Sequence, residues 1–144
     1  MVFDTNILIY AVDKASPFYD RCREDLLQAC KDPSPAFLTW NICYEFLRAT
    51  THPRVFNNPW TSKNAWTFLE TILASPGFEL LTATQRHGSV LARTLEELAD
   101  ISGNLFHDLH TAVLMREHGV SRICTRDTDF HRFPFVTVID PLRQ

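Results

Sequence analysis

The apolar residues of this chain gather in five short runs, and between the runs they recur every three or four positions. The runs Met1–Phe3, Ala36–Thr39, Phe78–Leu81, Arg122–Thr125 and Phe135–Ile139 predict strands. A brief helix is predicted from Thr5 to Ala11. Ser16-Pro17 reads as the start of the next helix, with Ser as N-cap and Pro at the first helical position. Phe18, Cys22, Leu26 and Cys30 then line one helix face. A further helix runs from about Asn41 to Thr51 and ends at His52-Pro53. The stretch from Arg54 to Trp60 reads as a loop. Thr61 or Ser62 caps a helix carrying Ala65, Phe68, Leu69, Ile72 and Leu73, closed by Pro76-Gly77. Helices from about Thr84 to near Asp100 and from Leu105 to His118 flank a loop at Ile101–Asn104, and Gly119 is placed as a C-terminal cap.

Strands alternating with helices predict an α/β fold with a mostly parallel sheet. The early strands lack polar alternation, as expected when helices cover both faces. At 144 residues the chain fits one domain with its own core. No apolar run reaches the roughly 18 residues needed to span a bilayer. The N-terminus lacks the pattern of a secretory signal. The expected setting is therefore cytoplasmic, with no membrane association and with Cys22, Cys30, Cys43 and Cys124 as reduced thiols. A formal net charge of −3 argues against a nucleic-acid partner unless several acids share one metal ion.

The placement of the acids favours that exception. Asp4 and Asp127 each stand where an apolar run stops, at or just past the C-terminal end of a predicted strand. In open α/β sheets, sites form in the crevice outside those ends. Asp108 shares a helix face with Leu105, Ala112 and Met115, and an acid on an apolar stripe is costly unless paired or metal-bound. Glu45 shares a face with Ile42 and Ala49, although Arg48 is placed to pair with it. Taken singly, Asp4 also reads as a helix cap, Asp127 as a turn residue and Asp108 as an acid bonded to backbone. Taken together, the four converge most economically on a hard divalent cation with oxygen ligands.

The ordered motifs D-T-N (Asp4 to Asn6), Glu45 on a helix, G-x-x-x-x-D (Gly103 to Asp108) and T-x-D-x-D-F (Thr125 to Phe130) resemble the PIN-domain ribonucleases. With R-E-H-G-V (Arg116 to Val120) and the closing D-P-L, the whole chain looks like a VapC-type toxin of a bacterial toxin–antitoxin pair. The resemblance implies a single domain over 1–144, with a parallel five-stranded sheet of order 3-2-1-4-5 between helical layers. It implies that Asp4, Glu45, Asp108 and Asp127 are the catalytic acids, with Asp129 a frequent fifth and Asn6 and Thr125 supporting them. It further implies cleavage of RNA with Mg²⁺ or Mn²⁺, and an antitoxin that inhibits the site. Asp4 and Asp108 are the foremost expected ligands. Asp127 and Glu45 then ligate a second ion, hold waters or accept the nucleophile's proton.

Other groups extend the picture. His107 and His110 are expected to lie away from the Asp108 face, which argues against zinc. His131 is expected in a loop near the site. Arg48, Arg54, Lys63, Arg86 and Arg132 are the cations to examine for RNA phosphates, and Trp60 is the aromatic to examine for base stacking. Trp66 sits at helical spacing with Leu69 and Leu73, as core or interface. The apolar excess around Phe56, Trp60 and Trp66 predicts a homodimer. A phosphoacceptor receiver domain is disfavoured, because LLTATQ after the third strand holds no Asp and the last lysine is Lys63. A phosphate-binding loop is disfavoured by four scattered glycines.

Overall fold

Val2 and Phe3 form β1, the central strand of the computed structural model, which describes residues 1–143. Both are fully buried although successive strand residues point to opposite faces, so the sheet is covered on both sides. β1 leads into α1 (Thr5–Tyr10) and α2 (Tyr19–Lys31), then β2 (Ala36–Thr39), α3 (Trp40–Thr51), α4 (Ser62–Ala74) and β3 (Phe78–Leu81). The second half holds α5 (His87–Glu97), α6 (Leu105–Glu117), β4 (Arg122–Cys124), a 3₁₀ turn (Thr128–Arg132) and β5 (Thr137–Ile139). All strands pair in parallel, in the order β3-β2-β1-β4-β5. Val2 sits opposite Phe37 on one side and Ile123 on the other. This is the order that the resemblance implies, and it makes β1 and β4 neighbours. No helix among the described residues is long and apolar enough to cross a membrane.

Local chemistry explains most boundaries. The Thr39 and Thr61 hydroxyls accept from the Ile42 and Asn64 amides and so cap α3 and α4. Gly119 takes φ +67° just past α6. There Val120 N–H donates to Met115 O at 2.9 Å, and Gly119 N–H donates to Arg116 O. This is a Schellman stop, which glycine enters without steric cost. Gly77 meets a different demand: a Cβ there would stand 1.9 Å from Ala29 O, so the approach of α2 to β3 requires glycine.

Several boundaries depart from expectation. α2 starts at Tyr19, because the Ser16 hydroxyl accepts from the Phe18 amide and closes a turn instead. α5 starts at His87 and ends at Glu97, inside the span predicted from Thr84 to Asp100. The Thr84 hydroxyl is committed to Glu117 and to the Arg86 amide. Trp60 packs among Phe46, Phe56 and Phe68 at ring distances of 5.8–6.3 Å, partly buried against the core. Trp66 lies outside the core, 39% exposed, and stacks on Trp40.

Candidate active site

The adjacency of β1 and β4 brings Asp4 and Asp127 to one crevice. The Asp4 amide donates to Cys124 O at 3.0 Å, which locks the two strand ends together. Asp4 caps α1 through Oδ1, which accepts from Thr5 N–H at 2.8 Å. Its Oδ2 accepts from the Thr125 hydroxyl at 2.7 Å and from Asn6 Nδ2 at 3.2 Å. Asn6 Nδ2 also donates to Thr125 Oγ1, and Asn6 Oδ1 accepts from the Arg126 amide. Thr125, fully buried, accepts from the Asp127 amide at 3.0 Å. The supporting residues Asn6 and Thr125 therefore connect the two acids by an unbroken hydrogen-bond chain. Asp127 Oδ1 in turn accepts from Asp129 N–H and caps the 3₁₀ turn. The helix-cap reading of Asp4 and the turn reading of Asp127 both hold. Neither uses up the oxygen lone pairs, since a carboxylate offers about four acceptor positions.

α6 delivers Asp108 in its first turn. Oxygens of Asp108, Asp127 and Asp129 lie within 4.8 Å of one another. Asp4 stands outside that group but lines the same cleft. Among the described residues no hydrogen-bond donor pairs with the Asp108 carboxylate. Burial, and then the charges of Asp127, Asp4 and Asp129, push its pKa from the ordinary 3.8 up to about 7. Burial likewise raises Asp4, against the bonds from Thr125 and Thr5 that lower it. An all-oxygen cluster with one unpaired, strongly perturbed acid suits a hard divalent cation.

Glu45 reaches the cleft from α3, yet it is half exposed and its Oε2 pairs with Arg48 Nε at 3.2 Å. The expected ion pair and the cleft position thus coexist. The cleft opens beside Asp4 as a hollow of about 300 Å³ and continues over Asp108, Asp127 and Asp129 as one of about 780 Å³. Its walls are α3, with Asn41, Tyr44, Glu45 and Arg48, and the start of α6, with Asn104 and His107. Asn41 Nδ2 donates to Thr111 Oγ1 at 2.7 Å and ties the two walls, while Asn41 Oδ1 is buried with no partner among the described residues.

The histidines part ways. His107 lines the cleft beside Asp108, contrary to expectation. His110 turns toward α5, with its ring 5.8 Å from that of His87. His131 lies exposed on the 3₁₀ turn. Of the five cations singled out, only Arg48 lines the cleft. Arg86 donates to Glu117 O, and Arg132 pairs with Asp100 at 2.7 Å. Arg54 and Lys63 are exposed elsewhere. Glu117, with a fully buried side chain, was not foreseen: it accepts from Thr84 N–H and Oγ1 and meets His87 Nδ1. Cys22, Cys43 and Cys124 are buried free thiols, which burial raises to about 11, 11 and 12.

The family model described as PIN domain matches residues 1–136. Ribonuclease VapC48 of Mycobacterium tuberculosis (strain CDC 1551 / Oshkosh) is 29% identical over 139 residues, covering 96% of this chain and 95% of that protein. Ribonuclease VapC37 of Mycobacterium tuberculosis (strain ATCC 25618 / H37Rv) is 33% identical over 132 residues, covering 92% and 90%. The crystal structure of VapBC2 from Rickettsia felis, bound to a DNA fragment from its promoter, shares the fold at a TM-score of 0.66 and 18% identity, covering 96% and 98%.

Proposed function

The chain belongs to the PIN-domain family, and on that premise we propose that it is a metal-dependent endoribonuclease, the toxin of a toxin–antitoxin pair. The observation that carries the reading is the packing of Asp108, Asp127 and Asp129 oxygens within 4.8 Å, with Asp108 left unpaired. These three would hold Mg²⁺ or Mn²⁺, with Asp4, which lines the same cleft, as the further acid beside them. A divalent ion bound there neutralises phosphate charge and lowers the pKa of a coordinated water. Asn6 and Thr125 fix Asp4 and the Asp127 backbone, so the acids are set before substrate arrives. Glu45 stands at the mouth, where exchanging its Arg48 partner for a water lets it take a proton.

The names of the relatives support RNA as substrate, and a structure of the same fold described as a toxin-antitoxin complex from Klebsiella pneumoniae supports a protein antitoxin as partner. The exposed Trp40–Trp66 stack, rather than Phe56 or Trp60, is the apolar surface that a homodimer would cover. The test is cleavage of RNA by the purified chain in Mg²⁺ or Mn²⁺. Excess EDTA and Asp108→Asn should each abolish it. Full cleavage in EDTA, or by the variant, overturns the metal assignment. Growth arrest on expression, relieved by the neighbouring gene, tests the toxin role, and harmless expression alone counts against it.

A further inference from the structure

Tyr44 is 70% exposed, more than any other large apolar side chain among the described residues. The fold does not use it: α3 supplies the core through Ile42, Cys43, Phe46 and Ala49. Among the described residues its ring and hydroxyl have no partner. It stands on the cleft wall, one helical turn before Arg48, with the acids Asp108, Asp127 and Asp129 lining the same hollow. We propose that Tyr44 is the platform on which an unpaired base beside the scissile phosphate stacks.

Two observations favour this. The cleft is poor in free positive charge: among the described residues Arg48 is its only arginine or lysine, and it is paired with Glu45. An ion held by the acids would neutralise the phosphate it meets, but the nucleotides beside that phosphate find no free cation on the cleft wall, and base stacking on an aromatic ring provides an anchor that needs none. The second concerns the neighbouring aromatic. Trp40, four residues before Tyr44 on the same helix, is already covered by Trp66, whereas Tyr44 is open and faces the cleft. A stacked base must leave its own helix, which restricts the site to loops, bulges and single strands.

The proposal rests on the ribonuclease reading, and the experiment separates the two. Steady-state cleavage in Mn²⁺ is measured on a fluorescent unpaired RNA oligonucleotide and on the same sequence in duplex, for the full chain and its variants. Tyr44→Leu and Tyr44→Ser should raise KM for the unpaired RNA by about 5- to 100-fold, with kcat changed less than about twofold. Tyr44→Phe and Tyr44→Trp should keep the wild-type KM, because a ring suffices. Thermal melting verifies that each variant is folded. Unchanged KM in both non-aromatic variants, or equal cleavage of duplex and unpaired RNA, overturns the stacking role and leaves the ribonuclease reading standing. A wild-type chain that cuts neither RNA overturns both. A change of mass by light scattering in Tyr44→Leu makes this face an interface between copies and overturns the proposal.

Discussion

The Thr125 hydroxyl donates to Asp4 Oδ2 at 2.7 Å, joining residues 121 positions apart. Thr125 is fully buried, and the same oxygen accepts from Asn6 Nδ2 and from the Asp127 amide. One hydroxyl thus serves both strand ends that carry the acids. Thr125→Val preserves the shape and removes every one of these bonds, leaving the Asp127 amide without its partner. A loss of about 1–3 kcal/mol is expected, read by urea denaturation in EDTA. Cleavage should fall as well, because Asp4 loses the bond that most lowers its pKa. Thr125→Ser should retain most of both. Equal stability and activity in the Val variant would reduce Thr125 to a space-filling residue.

The buried Glu117 anchors the segment between β3 and α5. Its Oε1 accepts from Thr84 N–H at 2.8 Å and from Thr84 Oγ1 at 2.7 Å, and Oε2 meets His87. Glu117→Ala removes the acceptor of these half-buried donors and leaves a hole where its buried carboxylate stood, at a cost of about 1–3 kcal/mol. The damage should be local, since none of these groups lines the acid cleft. Hydrogen exchange should show amides 84–90 losing protection first. Protection unchanged there, with a uniform loss elsewhere, would contradict the anchor.

What the sequence made legible follows from how locally each feature is encoded. Asp4, Asp127 and Asp108 could be found because an acid at a strand end or on an apolar helix stripe violates the hydrophobic pattern around it. The strand order came through the resemblance, since periodicity alone says nothing about which strands pair. Glu117 was missed because a charged residue in R-E-H-G near a helix end reads as solvated. The available signal was the rest of α6, where Leu109 and Thr111–Met115 are all buried. A helix buried nearly all round leaves its last turn inside as well. The start of α5 misled for a related reason: Thr84 has the chemistry of a cap, but a residue 33 positions away holds its hydroxyl. The 3₁₀ turn at Thr128–Arg132 is too short to show a period. Trp60 packs against Phe46 instead of standing free for base stacking, and Trp66 takes the interface side of its core-or-interface reading, because the partners that settle them, Phe46 and Trp40, lie on α3.

The last prediction uses the unpaired acid itself. Asp108 has a folded-state pKa of about 7 against an ordinary 3.8, with burial the main cause and the Asp127, Asp4 and Asp129 charges adding to it. A raised pKa means that the folded state holds the proton more tightly. The associated stability is therefore complete below about pH 4 and is lost as pH rises through about 7. At 1.36 kcal/mol per unit the loss is bounded by about 4 kcal/mol, and the openness of the cleft to water reduces it to a few. His110, lowered by burial and by His87, acts in the opposite sense below pH 6.5. Glu117, which His87 and Thr84 hold low against the opposing effect of burial, matters only as pH falls below about 4.5. Subtracting the profile of Asp108→Asn from that of the wild type removes both contributions. In EDTA, the wild type should lose a few kcal/mol relative to the variant between pH 5 and pH 8. At pH 8 the variant should be the more stable of the two. Mn²⁺ should raise the wild-type melting temperature at pH 8, increasingly with concentration, and should do little for the variant. The measurement is thermal and urea denaturation of both proteins, with EDTA and with Mn²⁺, across that pH range. A variant less stable than the wild type at pH 8 in EDTA would show that Asp108 bonds within the fold, and the metal centre would lose the residue that most requires it.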